Sequence, residues 1–286
     1  LERQSHLLRG DTIYDPDMYI PQRADVDDPQ GTPVALDVLE RVEQWVQSEH
    51  NRFVLLLGEF GTGKTFLLHQ LALHLARPDS SIVPVLIEMR ALEKGRSLDE
   101  LVAQHLARAK EEAIALRAFR YMLEEGRIAL LFDGYDELAL RVSYERAVEH
   151  FETLLQAYKG SAKIVVTSRT QHFESEKQIK TALLQKLELL GGLRVGRLRR
   201  FEDDQVPAFL RKRMKSDAEA HARFELIRDV RDLHGLAANP RMLGFIADLP
   251  EKEFLDAKGE GERIDSSKLY LKLVERWLRF EVERLS

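Results

Sequence analysis

Four short apolar runs punctuate the first two thirds of the chain, at residues 53–57, 82–87, 128–132 and 163–167, and residues 193–198 can be one last strand. They are rich in Val, Ile, Leu and Phe and too short for helices, so each reads as a strand. Helical patterns separate them. Residues 34–47 place Leu36, Leu39, Val42 and Val46 on one side. Residues 66–75 are apolar nearly throughout, which predicts a helix buried between sheet and neighbours, ended near Ala76 by Pro78. Ser97-Leu98-Asp99-Glu100 is a capping box opening a helix with Leu98, Leu101, Val102 and Leu106. Further helices are predicted over 111–125, closing on Gly126, and over 143–158, broken at Gly160. Strands alternating with helices imply right-handed crossovers and a mostly parallel sheet flanked by helices. Pro84 cannot donate to a ladder, which puts its strand at an edge or puts Pro84 at the strand start.

Past residue 200 the strand pattern fades. Helices are predicted over 203–214, 218–234, 241–248 and 266–285, with a charged, glycine-containing loop at 251–262. Pro207 is tolerable only near the first turn of its helix. The expected organisation is an arm and helix at 1–50, an α/β domain at 51–200 and a small all-α domain at 201–286. The arm (residues 1–33) is rich in aspartate but carries an apolar patch of Tyr14, Tyr19, Ile20 and Pro21, which predicts an extended segment packed on a core.

Composition narrows the class. There is no cysteine, so disulfides and thiolate metal sites are excluded and a cytoplasmic setting is expected. No apolar run is long enough to cross a membrane, and no signal-peptide core opens the chain. The net charge of −5 argues against a global pull toward nucleic acid or anionic lipid. A start at Leu1 and a stop inside a charged helix suggest a piece of a longer protein.

The candidate chemistry starts where the first strand ends. Gly58-Glu59-Phe60-Gly61-Thr62-Gly63-Lys64-Thr65, followed by Phe66, has the spacing of a phosphate-binding loop between a buried strand and a helix. Glycines let backbone N–H groups curl around a polyphosphate at a helix N-terminus. Lys64 would supply a point charge, and the Thr65 hydroxyl a ligand for Mg²⁺. The third run ends on Asp133, an acid expected near Thr65 because parallel strand ends gather along one edge. Asp133 is assigned to the magnesium shell. Asp136 and Glu137 just beyond it are both candidates for polarising water, and Arg169 at the next strand end is a candidate for the γ-phosphate. An ion pair with an acid such as Asp136 is the structural alternative for Arg169.

These residues resemble the NACHT branch of the STAND NTPases. The phosphate loop is shared widely; the string Leu130-Leu131-Phe132-Asp133-Gly134-Tyr135-Asp136-Glu137-Leu138 is more specific, with a small residue after the aspartate and another acid two places on. Ile164-Val165-Val166-Thr167-Ser168-Arg169 is similar to the family's sensor-1 strand. Ala238-Asn239-Pro240-Arg241-Met242-Leu243 is similar to its Asn-Pro-Leu segment, although Arg241 stands where leucine is usual, and Lys268-Leu269-Tyr270 is similar to a later Leu-Tyr helix. The resemblance spans about residues 15–286. It implies ATP or ADP with Mg²⁺ held by residues 58–66, Pro240 near the base, and slow hydrolysis. It also implies a switch in which nucleotide state controls self-association through this core and activation of an effector, as in defence against phage or stress. A winged-helix domain, a sensor and the effector would lie outside this chain, and His234 is not the winged-helix histidine. The lack of an Asn-Lys-x-Asp guanine reader favours adenine over guanine.

Two other functions compete with this one. The basic stretch 194–215 could make the chain a nucleic-acid-binding scaffold, but its simpler reading is a solvated face on a net-negative chain. A motor-type AAA+ ATPase is disfavoured by the Asp-Gly-Tyr-Asp-Glu string and the Asn-Pro segment.

Overall fold

The computed structural model describes residues 15–26, 36–89, 100, 116–139, 154, 155, 157, 159–171, 192–229, 233–252 and 266–285. The helices expected at the 97–100 capping box and over 143–158 therefore fall wholly or mostly outside the described residues. Chain contacts divide the molecule into two units. The first comprises Leu1–Pro16, Pro21–Phe60 and Lys64–Arg199; the second comprises Asp17–Ile20, Gly61–Gly63 and Arg200–Ser286.

The first unit is α/β. Its strands are β1 (Arg23–Val26), β2 (Leu36–Asp37), β3 (Phe53–Leu57), β4 (Val83–Glu88), β5 (Ile128–Asp133), β6 (Lys163–Ser168) and β7 (Leu193–Leu198). They form one sheet in the order β2-β1-β7-β3-β6-β5-β4. The five strands from β7 to β4 run parallel, and β1 and β2 join antiparallel at one edge. β4 is the opposite edge, where Pro84 costs no ladder bond. Every residue of β3 and β6 is buried, which explains the unbroken apolar character of β3 and the Ile164-Val165-Val166 centre of β6: a parallel sheet covered on both faces has no polar side. Phe53, Leu55 and Leu57 of β3 share one core with Ile128, Leu130 and Phe132 of β5 and with Ile164 and Val166 of β6. The intervening Val54, Leu56, Leu131 and Val165 are equally buried and point to the other face.

Helix α1 (Val38–Gln47) starts four residues later than its periodicity predicts. Leu36 and Asp37 are taken by pairing with β1, and Asp37 Oδ1 caps the helix by accepting the Leu39 N–H at 3.0 Å. β1 itself carries no clear sequence signal. Helix α2 (Lys64–Leu75) buries Leu67, Leu68, Leu71 and Leu75 and packs on β4, β5 and β6. His69, on this helix, is packed rather than exposed, and His74 Nδ1 lies 2.9 Å from Glu43 on α1.

Helix α3 (Leu116–Glu124) leads into β5 through Gly126. The Arg127 N–H bonds to the Met122 carbonyl at 2.9 Å and the Gly126 N–H to the Leu123 carbonyl at 3.0 Å, so the helix closes in a Schellman turn. Gly126 has φ of 70°, and a Cβ there would meet the Ser161 carbonyl at 2.7 Å. A short helix α4 (Tyr135–Ala139) follows β5.

The second unit is helical: α5 (Gln205–Arg213), α6 (Asp217–Asp229), α7 (Leu233–Ala237), α8 (Pro240–Ala247) and α9 (Ser266–Leu285). Pro207 falls at the third position of α5, inside its first turn. Of the helix expected over 218–234, α6 is described to Asp229 and α7 from Leu233, with 230–232 outside the described residues, and residues 251 and 252, expected in a loop, are helical. Its core gathers Val206, Leu210, Ile227, Leu243 and Ile246, together with Ile20 from the arm. Lys212 Nζ holds that arm by donating to the carbonyls of Asp17 at 2.9 Å and Tyr19 at 2.8 Å. Asn239 caps α8, accepting the N–H groups of Arg241 at 3.1 Å and Met242 at 3.2 Å, with Pro240 at the first turn.

Gly126→Ala is expected to destabilise the protein by about 1–3 kcal/mol, because it adds both a positive-φ penalty and a backbone clash. Urea denaturation of variant and wild type checks this; an unshifted midpoint would contradict the turn geometry.

Candidate functional site

The site is assembled at the C-terminal ends of β3, β6 and β5. The sheet order places β6 between the strand that leads into the loop and the strand that ends on Asp133. Leu57 is level with Ser168, so residues 58 and 169 leave the sheet side by side. Two backbone bonds lace them: Gly58 N–H to the Ser168 carbonyl at 3.2 Å, and Thr170 N–H to the Gly58 carbonyl at 3.4 Å.

Within the loop, Gly61 and Gly63 have φ of 77° and 92°, left-handed conformations that suit glycine. Gly61 clusters with the helical unit: its carbonyl accepts the Arg241 N–H at 3.3 Å, and a Cβ at 61 would sit 2.5 Å from Asn239 Oδ1. Thr62 is buried, while Glu59 is exposed and Phe60 and Phe66 are half-buried. Lys64 Nζ curls back and donates to the carbonyls of Gly58 and Glu59, each at 2.9 Å. Burial is the main influence on this ammonium and holds its pKa below the ordinary lysine value, while Asp136 and Asp133 push the other way.

Thr65 and Asp133, 68 residues apart in sequence, meet directly. The Thr65 hydroxyl donates to Asp133 Oδ2 at 2.7 Å. The other oxygen, Oδ1, accepts the Thr167 hydroxyl at 2.7 Å, and Thr167 Oγ1 in turn accepts the Gly134 N–H at 2.9 Å. Burial raises the Asp133 pKa above the usual aspartate value, and the hydroxyls of Thr167 and Thr65 partly offset it. A carboxylate and a hydroxyl together offer hard oxygen ligands, the donor set that suits Mg²⁺. Thr167 is the residue that sequence reading missed in this role. Its signal was a hydroxyl directly after the aliphatic run Ile164-Val165-Val166.

Beyond Asp133 the two acids lie in the first turn of α4. Asp136 is buried and paired with Arg169, whose Nε lies 2.8 Å from Asp136 Oδ2. Arg169 is 35% exposed, and its guanidinium carbon stands 5.1 Å from the centre of the Phe60 ring. Glu137 folds back along Gly134. The structure thus brings together Gly58, Phe60, Lys64, Thr65, Asp133, Asp136 and Arg169 within the first unit, whereas Pro240 belongs to the second.

The family model for the NACHT domain matches residues 52–217, more than half of the chain. The chain belongs to the NACHT family. This family is a branch of the STAND P-loop NTPases. An uncharacterized WD repeat-containing protein of Nostoc sp. is 27% identical over 261 residues, covering 85% of this chain and 16% of that protein. The NLRC5 protein of Ictalurus punctatus is 30% identical over 127 residues, covering 42% of this chain and 7% of that protein. The NACHT chain described here therefore spans about a sixth or less of these curated relatives. Among solved structures, domain III of the Thermotoga maritima replication initiation protein DnaA aligns with a TM-score of 0.47 at 16% identity, over 83% of this chain and 90% of that one. A STAND protein with a tetratricopeptide repeat sensor from Pyrococcus horikoshii aligns at 0.41 and 15% identity, over 75% and 29%.

The basic stretch 194–215 is partly committed to internal contacts. Arg199 Nε donates to Asp25 at 2.8 Å, Lys212 holds the arm, and Arg213 makes a two-point bond with Asp248 at 2.9 and 2.8 Å. Among the described residues no helix is long and apolar enough to cross a membrane, and no cluster of three or more His, Cys, Asp or Glu side chains is arranged to hold a metal ion.

Thr167→Val removes a hydrogen bond that favours the ionised Asp133, so the Asp133 pKa is expected to move further upward. The carboxyl carbon shift of Asp133, followed against pH by NMR in both proteins, checks the direction. An unmoved midpoint would mean that this bond does not form in solution.

Proposed function

We propose that this chain is the nucleotide-binding core of a signalling switch, which holds ATP or ADP with Mg²⁺ and hydrolyses the triphosphate slowly. The observation that carries the proposal is the 2.7 Å bond from Thr65 to Asp133, beside a glycine loop whose lysine reaches its own carbonyls. In this reading the backbone N–H groups of residues 58–65 cradle the phosphates. Lys64 exchanges its bonds to Gly58 and Glu59 for phosphate oxygens. Thr65 and Asp133 would supply oxygen ligands to the metal, with Thr167 fixing the carboxylate. When bound there, Mg²⁺ supplies charge neutralisation on the phosphate oxygens. Arg169 would meet the γ-phosphate, and one of the two acids in the first turn of α4, Asp136 or Glu137, would aim the attacking water. Pro240 is assigned to the base by family likeness.

Regulatory use follows from energetics. A γ-phosphate touched by Lys64, Thr65 and Arg169 makes contacts that a diphosphate lacks, and only such a difference can shift a conformational equilibrium. The equilibrium in question is self-association of NACHT cores in the longer protein, with effector and sensor regions outside this chain and the cytoplasm as its setting. The internal bonding of Arg199, Lys212 and Arg213 takes three of the eight basic residues of the 194–215 stretch, which favours the switch over the nucleic-acid scaffold.

Nucleotide extracted from the purified protein and separated by chromatography is expected to be ADP, and Lys64→Ala is expected to lose it. Guanine nucleotide, or none in the wild type, would overturn the proposal. Chelation with EDTA is expected to abolish hydrolysis and excess Mg²⁺ to restore it. Turnover by the isolated chain should stay below about one per second, the low end for phosphoryl-transfer enzymes; faster turnover would argue for a motor rather than a switch.

A further inference from the structure

Asp136 and Glu137 are adjacent acids with different surroundings. Only 3% of Asp136 is exposed, and both of its carboxylate oxygens face one residue. Oδ2 lies 2.8 Å from Arg169 Nε, and Oδ1 accepts the Arg169 backbone N–H at 3.0 Å. Arg169 is therefore held at two points, main chain and side chain, while its guanidinium lies over the ring of Phe60 in the phosphate loop. The same segment is laced to the loop through Gly58 and Ser168. A base that activates water must turn an oxygen toward that water. Asp136 turns both toward Arg169.

We infer that Asp136 is a positioning residue, which fixes Arg169 over Phe60 so that the guanidinium is pre-aimed at the terminal phosphate of a nucleoside triphosphate, and that the water-orienting role falls to its neighbour Glu137 rather than to Asp136. The inference rests on the nucleotide-switch reading above and assigns roles within it. A guanidinium has five N–H donors, so a bond through Nε leaves capacity for an anion. Holding it in place beforehand reduces the ordering cost of binding. Glu137 curls over Gly134, beside Asp133, where a Cβ on residue 134 would touch it at 3.6 Å.

The test is selectivity for ATP over ADP, measured as the ratio of dissociation constants by isothermal titration calorimetry in Mg²⁺. Arg169→Ala is expected to lower this ratio about tenfold or more, the scale of one charge-assisted bond. Asp136→Asn, which keeps the side-chain shape, is expected to lower it comparably. The double variant should fall no further than either single one, because both changes remove one unit. If Asp136→Asn keeps the wild-type ratio while hydrolysis is lost, Asp136 is the water-orienting acid and the inference is wrong. Effects that multiply in the double variant overturn it as well. If Asp136→Asn does not fold, Arg169→Lys carries the test: it keeps the charge but loses the Nε bond, so an undiminished ratio sinks the inference. Failure of the underlying reading looks different, since wild-type protein would then bind neither nucleotide.

Discussion

The insertion of β6 between β3 and β5 is the constraint on which the rest of the site depends. It sets the loop after β3 and the acid that ends β5 two strands apart, a gap of about 10 Å across the sheet. Thr65 in the first turn of α2 and the Asp133 side chain close that gap to 2.7 Å. It also delivers Thr167, Ser168 and Arg169 into the space between them. Thr167 steadies the acid from one side and Arg169 leaves beside Gly58 on the other. A different strand order with the same sequence motifs would leave these groups apart.

Burial then decides the electrostatics. Asp133 carries a carboxylate whose charge is disfavoured by its surroundings, and two hydroxyls offset only part of that penalty. Lys64 is likewise pushed toward its neutral form by burial, with carboxylates opposing. Opposite charges thus sit in a place that penalises each of them, the condition under which added partners of the right sign gain most. The proposed ligands, a cation against Asp133 and polyphosphate against Lys64, relieve both penalties at once.

Much of this was legible in the sequence because buried parallel strands have no polar face to break their apolar runs. The core strands β3, β5 and β6 were therefore marked within a residue or so, and the loop was marked by its glycine spacing. Strand order was not legible, since no side-chain pattern records which parallel neighbour a buried strand chooses. β1 and β2 are short edge strands whose pairing, not their composition, defines them, and that pairing takes Leu36 and Asp37 out of a segment with helical spacing. Thr167 was hidden because its role depends on a carboxylate 34 residues away. Pairing with Asp136 was foreseen for Arg169 as an alternative to function, but the contact with Phe60 leaves room for both.

The stretch from Asp133 to Glu137 shows why adjacent acids need not share a role. Gly134, with φ of 76°, turns the chain out of β5 and directly into α4. From there successive side chains rotate by about 100° per residue, so Asp136 and Glu137 cannot face the same neighbour. Tyr135 is driven into the core, fully buried beneath the strand ends. That anchor fixes the rotation of the whole turn. With it set, Asp136 meets Arg169 and Glu137 returns toward Gly134, so the different surroundings of the two acids follow from where one tyrosine is buried.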